Sequence, residues 1–186
     1  MDATRLFVIL AATYHEGTGD IAVIESIWPN IELALQWIDQ YGDVDGDGFI
    51  EYARHSPKGV VHQGWKDSKD AVFHADGTLA DGPIALCEVQ RYVYAAKCRA
   101  AELTTLIGNT ARADELRRQT QILLESFEQL FWCEDLSTYA LALDGAKHPC
   151  RLRTSNAGHC LFTEIASTPH AERTARSLMS PDCRNL

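Results

Sequence analysis

No uninterrupted apolar run in these 186 residues approaches the ~20 that a membrane-spanning helix needs. The N-terminus also lacks a signal-peptide layout: Asp2 opens it, and no small-residue cleavage site follows an apolar core. A membrane partner is therefore not expected, and the chain reads as cytoplasmic. Basic residues are in deficit, 17 Lys and Arg against 26 Asp and Glu, for a formal net charge of −9. Binding to a phosphate backbone needs clustered Lys and Arg, so nucleic acid is not an expected partner. None of the six cysteines (Cys87, Cys98, Cys133, Cys150, Cys160, Cys183) forms a C-x-x-C pair, which argues against a metal cluster or a redox motif. A disulfide framework belongs to small secreted chains, so the thiols are read as reduced. Period-2 alternation is absent too, although 138–143 and Val60-Val61 are candidates for short strands.

What the sequence does carry is helical periodicity. The apolar fraction of 46% suits a globular chain, and the length suits one domain or a piece of a larger one. Six helices are predicted, over about 3–15, 21–40, 84–107, 111–132, 157–166 and 170–179. The first puts Leu6, Phe7, Leu10 and Tyr14 on one stripe. Asp20 caps the second, whose apolar side is Ile24, Ile27, Trp28, Ile31, Leu35 and Ile38. Pro29 should kink that helix or mark a junction of two shorter ones. Pro83 opens the third. The class is all-α.

The connections alternate in length: short near 16–19, 108–110 and 167–169, long over 41–83 and 133–156. A short link makes neighbouring helices antiparallel. If every successive pair is antiparallel, both long loops lie at the same end, where a site could be built.

The first long loop holds most of the legible chemistry. Asp43-x-Asp45-x-Asp47-Gly48 supplies oxygen ligands at positions 1, 3 and 5 of an EF-hand-type loop, with the turn glycine at 6. Position 12 is Arg54 instead of Glu, so the full pattern fails, and Glu51 at position 9 is the remaining candidate ligand. The competing reading is a solvated acidic turn. Further on, Trp65 offers a stacking face for a sugar ring, Lys66 a donor to hydroxyls and Asp67 a carboxyl for acid catalysis. Against that stands a capped turn in which Asp67 or Ser68 satisfies backbone amides. Glu88 and Gln90 fall on the first turns of the third helix, at the same end as Asp67, although an acid there is also ordinary helix-dipole chemistry. Ser155 or Asn156 should cap the fifth helix, and His159 follows as a candidate ligand for substrate hydroxyls.

Taken in order, these stretches resemble the catalytic domain of amylo-α-1,6-glucosidases, the glycogen-debranching branch of the six-hairpin (α/α)6 glycosidases. The residues that carry the resemblance are Asp2-Ala3-Thr4-x-Leu6-Phe7, Asp45 to Tyr52, Gln63-Gly64-Trp65-Lys66-Asp67-Ser68, Pro83 to Gln90 and Ser155-Asn156-Ala157-Gly158-His159. The resemblance implies a partial (α/α)6 toroid of about three antiparallel hairpins, in one domain over 1–186. It implies an inverting hydrolase of α-1,6-glucosidic bonds in glycogen- or dextrin-type glucans. Its Trp-x-Asp pattern makes Asp67 the general acid, with Asp2, Trp65, Lys66, Glu88, Gln90 and His159 as substrate contacts. Related six-hairpin enzymes carry an Asp-rich calcium loop, which Asp43, Asp45, Asp47 and Glu51 match.

Some residues depart from that pattern. Arg5 stands where proline is expected, and Glu164 where a small residue is usual, a costly group if buried in the fifth helix. The resemblance also implies six hairpins against the three found, and a general base downstream of Leu186. The chain is thus expected to be a fragment whose partner is the missing half of its barrel, with little hydrolase activity alone. The alternatives are a trehalase-like or glucoamylase-like hydrolase, or a non-catalytic calcium-binding helical module.

Overall fold

The computed structural model describes residues 2–53, 58–59, 61–66 and 68–180. Helix α1 (Ala3–Thr18) ends at Gly19, whose positive φ of 69° allows its N–H to close back on the His15 carbonyl at 2.7 Å. Asp20 then caps α2 (Ile21–Trp37), its side chain accepting from the Val23 N–H at 3.2 Å. Helix α2 is continuous through Pro29, not two shorter helices, and it passes into a π-helical turn at Ile38–Gly42. Helices α3 (Cys87–Leu106) and α4 (Thr110–Phe131) form the central hairpin, turned at Gly108 and capped by Asn109 on the Arg112 N–H.

The predicted third helix starts late because strand pairing claims its first residues. Strand β1 (Ala85–Leu86) pairs with β4 (Ala142–Leu143), and Ile84 pairs with Tyr52. A second ribbon joins β2 (Trp132–Cys133) to β3 (Thr138–Tyr139); β3 and β4 lie within the stretch 138–143 read as a possible strand, and β2 lies outside it. Of the other candidate strand, Val60 lies outside the described residues and Val61 is not in a strand. The predicted fifth helix shrinks to a 3₁₀ turn at Ser155–Gly158 and a single helical turn, α5 (His159–Phe162). It stops where Glu164 takes a positive φ of 58°, and Glu164 is exposed, so the feared buried acid does not arise. Helix α6 (Thr168–Leu178) follows, with proline in its first turn.

Helix α3 packs on α1, α4 and α5, and the core has two parts around it. One joins α1, α2 and the far halves of α3 and α4. The other gathers Phe49, Tyr52, Leu86, Phe127, Phe131 and Tyr139 where the two long connections meet. The polar links agree with that meeting: the Gly145 N–H donates to the Asp81 carbonyl at 2.7 Å. A Cβ on Gly145 would lie 2.5 Å from the Gly82 carbonyl oxygen, so only glycine fits.

The stripe Leu6, Phe7, Leu10 and Tyr14 faces outward, while Arg5, Val8, Ala11 and Ala12 are buried. The alanines let α1 lie close to its neighbours, which a bulky stripe would prevent. Burial lowers the Arg5 pKa to about 10, with Asp2 opposing the shift, and its guanidinium lies 5.7 Å from the Trp37 ring. Cys87, Cys98, Cys133, Cys150 and Cys160 are free thiols, all but Cys98 buried. Among the described residues no helix is long and apolar enough to cross a membrane.

Candidate functional site

The site is assembled at the first turns of α3. Strand β1 delivers the chain to the helix start, and Glu88, Arg91 and Tyr92 then recur at i, i+3 and i+4, the spacing that places residues on one face. Gln90 cannot share that face, since two residues turn a helix by roughly 200°. It points instead at the acidic loop. Its Oε1 accepts from the Ile50 N–H at 2.8 Å, and its Nε2 donates to the Ile50 and Leu86 carbonyls at 2.6 and 3.2 Å. The side chain is fully buried and its amide is spent on backbone, so the structure gives Gln90 an anchoring position in place of a substrate contact.

Gly64 crosses over this face. A Cβ there would lie 2.2 Å from Leu86 Cδ1 and 3.0 Å from Glu88 Oε1, so the 63–66 segment approaches the helix start by lacking a side chain. Trp65, 68% exposed, then stands with its ring centroid 6.0 Å from that of His159, edge to face. Lys66 follows, half-buried. Asp67, the predicted general acid, lies outside the described residues.

Glu88 is fully buried. One oxygen accepts the Cys87 thiol at 3.7 Å, and Oε1 has no hydrogen-bond partner among the described residues. Burial raises its pKa; Asn156 beside it offsets part of the shift, and Asp2 adds to it. Neither amide atom of buried Asn156 reaches hydrogen-bond geometry with the described residues. Asn156 therefore belongs to the site and does not cap a helix; it is the second residue of the 3₁₀ turn Ser155–Gly158, which has no side-chain cap. Arg91, 1% exposed, donates from Nη2 to His159 Nδ1 at 2.7 Å and lies over the Tyr92 ring at 3.7 Å. The His159 pKa is lowered, first by burial and then by Arg91, with Asp2 opposing. Sequence reasoning missed Arg91, Tyr92 and Asn156. The helical spacing from Glu88 would have found the first two.

The structure thus brings together Asp2, Trp65, Glu88 and His159 of the predicted set. The arrangement can donate and accept hydrogen bonds beside an exposed indole. Buried polar groups without partners are uncommon, and several in one cluster mark a place where a polar ligand would supply the missing bonds.

The acidic loop lies on the other side of Gln90. Asp43 accepts from the Gly46 and Gly48 N–H groups at 2.7 and 2.8 Å, and Asp47 accepts from Phe49 N–H at 2.9 Å. Oxygens of Asp43, Asp45 and Glu51 fall within 4.8 Å of one another, a donor set suited to a hard cation. The positive charge among them, however, is the Lys147 ammonium. It lies 2.9 Å from Asp45 Oδ2 and 2.8 Å from Asp47 Oδ2, and it bonds the buried Glu51 carboxylate as well. A metal ion here would have to displace Lys147.

No protein-family profile matches the chain, and no curated protein is detectably similar to it. Its fold does match a solved structure, the GH78 family rhamnosidase of Bacillus sp. GL1, with a TM-score of 0.70 at 16% sequence identity. The match covers 95% of this chain and 17% of that one. At that identity the likeness speaks for the fold: an all-α array of helical hairpins, as found in part of a much longer glycosidase.

Proposed function

We propose that this chain is part of a glycoside hydrolase and carries one side of its saccharide site. The observation that carries the reading is the cluster at the start of α3. A buried carboxyl group with a raised pKa, Glu88, lies under Gly64 and beside Asn156, next to the exposed Trp65 ring and His159. Indole faces bind the C–H side of pyranose rings, and carboxyl groups of raised pKa suit sugar-cleaving chemistry.

Within that class we favour α-1,6-glucosidic bonds of glycogen- or dextrin-type glucans, cleaved with inversion. Support comes from the ordered resemblance of the sequence motifs to amylo-α-1,6-glucosidases. In this reading Asp67 protonates the leaving oxygen, and Trp65, Lys66, Asp2 and His159 hold the sugar. The second carboxylate comes from further chain, and the outward apolar face of α1 and α2 seats further hairpins of the same ring.

Binding tests the substrate without requiring turnover. Isomaltotriose should quench the tryptophan fluorescence of the chain saturably, and Trp65→Ala should abolish the response. L-rhamnosides should be inert. Quenching by rhamnosides alone, or by no saccharide, would sink the glucan assignment. In a chain extended to an active enzyme, Asp67→Asn should lower kcat by roughly 10²–10⁴ with little change in KM, the range expected for loss of a general acid. Unchanged kcat would remove Asp67 from that role.

A further inference from the structure

We propose that Arg91 is the positioning residue of His159, holding the imidazole neutral with its proton on Nε2 so that the ring presents one fixed donor to the ligand. This rests on the saccharide reading of the site for the identity of the ligand, but not for the state of the ring.

The argument starts from what a guanidinium can do. It has five N–H donors and no acceptor. Arg91 Nη2 lies 2.7 Å from His159 Nδ1, so Nδ1 must be the acceptor in that bond. A ring whose Nδ1 accepts carries its proton on Nε2 and is uncharged. Protonating Nδ1 would set two donors face to face and a second positive charge against the first. Burial of the ring works in the same direction.

Arg91 is itself held for this task. It leaves the second turn of α3 with 1% of its surface exposed, and its guanidinium is stacked 3.7 Å over the Tyr92 ring. Its Nε and Nη1 are buried without hydrogen-bond partners among the described residues. His159 opens α5, so the bond ties the central helix to the short one behind it. The Trp65 and Tyr92 ring centroids, 6.0 and 6.5 Å away, wall the imidazole on two sides. The charged groups acting on it among the described residues are Arg91 from α3 and Asp2 from the residue before α1, and they oppose each other. Among the described residues Nε2 has no hydrogen-bond partner, so its proton is left for a ligand oxygen.

The consequence is chemical selection. A fixed, neutral N–H donor suits the hydroxyl or ring oxygen of an uncharged sugar. An ordinary histidine, with a pKa of about 6.5, would become an imidazolium under mildly acidic conditions and favour carboxylated or phosphorylated sugars.

Long-range ¹H–¹⁵N correlation spectra of the imidazoles in the ¹⁵N-labelled chain test this directly, from pH 5 to 8, with His159 assigned by loss of its signals in His159→Gln. One protonated nitrogen assigned as Nε2, a pyridine-type Nδ1 and a midpoint below about 6.5 are expected. A proton on Nδ1, or a midpoint at or above that value, overturns the proposal without need of an Arg91 variant. Arg91→Met should release the ring to a mixture of tautomers and raise the midpoint. Arg91→Gln, which keeps a donor and loses the charge, should keep the Nε2–H form while the midpoint still rises. An unchanged ring in folded Arg91→Met removes Arg91 from the role. Isomaltotriose should shift the Nε2 resonance; an intact tautomer with no saccharide response would count against the glucan reading and leave the Arg91–His159 relation standing.

Discussion

Glu88 has been taken out of water, and one of its oxygens has no hydrogen-bond partner among the described residues. Burial is the main cause of its raised pKa, so the folded chain keeps that proton to a higher pH than the unfolded chain does. Stability from this group is therefore present below the ordinary glutamate value of about 4.3 and is lost as pH rises through the folded-state value. Replacement by the isosteric amide removes the titration while keeping the shape. In urea unfolding between pH 4 and 7, Glu88→Gln should gain stability relative to wild type as pH rises, and the gain should level off once Glu88 has ionised. The difference between the two proteins is the quantity to read, because Asp45, which is hydrogen-bonded to Lys147, has a lowered pKa and slopes the other way in both. Parallel profiles would mean that Glu88 does not resist ionisation.

At the scale of elements, the two long connections are locked together by Lys147. Asp144 shapes the turn that presents it, accepting from the N–H groups of Ala146 and His148 at 2.9 and 2.8 Å, while Lys147 takes a left-handed φ of 64°. Its pKa is raised because the hydrogen bonds to Asp47, Glu51 and Asp45 outweigh the opposing burial. Lys147→Met leaves those carboxylates uncompensated and should cost about 2 kcal/mol. That is less than the roughly 3–5 kcal/mol lost when a fully buried pair is broken, because Lys147 and Asp45 keep partial contact with water. Calcium gives the sharper readout. The wild-type melting temperature should be indifferent to millimolar Ca²⁺ and to chelator, and Lys147→Met should become Ca²⁺-dependent. A wild-type protein stabilised by Ca²⁺ would show that the ammonium yields to metal.

This pair also shows what the sequence could and could not reveal. The D-x-D-x-D-G spacing specified a nest of carboxylates, because that information is local. Its cation comes from 96 residues beyond Glu51, a distance at which spacing carries no signal. The caps at Asp20 and Asn109 differ from it in being local, and the Asp20 cap was read correctly. Helical phase lay in between: it separated Glu88 from Gln90 and joined Glu88 to Arg91, had it been applied. The start of α3 was misplaced because strand pairing between distant segments, Ala85 with Leu143, overrode a locally helical sequence.

For the whole molecule, the outward apolar stripe on α1 is the most consequential feature. Phe7, Leu10, Tyr14, Val23 and Ile27 line an apolar groove between α1 and α2, and Leu10 is 66% exposed. Contiguous apolar surface of this kind is rare on a chain that meets only water. The apolar stripe read from the spacing is therefore real, but among the described residues nothing covers it. In the proposed enzyme it would be covered by neighbouring hairpins of the ring. The 186-residue chain should then self-associate through this face. Sedimentation velocity should show mass rising with concentration, and an apolar dye should fluoresce on binding. Leu10→Lys should shift the protein toward monomer and reduce dye binding, while changing unfolding free energy by no more than about 0.5 kcal/mol, as for an exposed position. A wild-type chain that stays monomeric and dye-silent over the same range would show that the face tolerates water, and the assignment of further hairpins to it would fall.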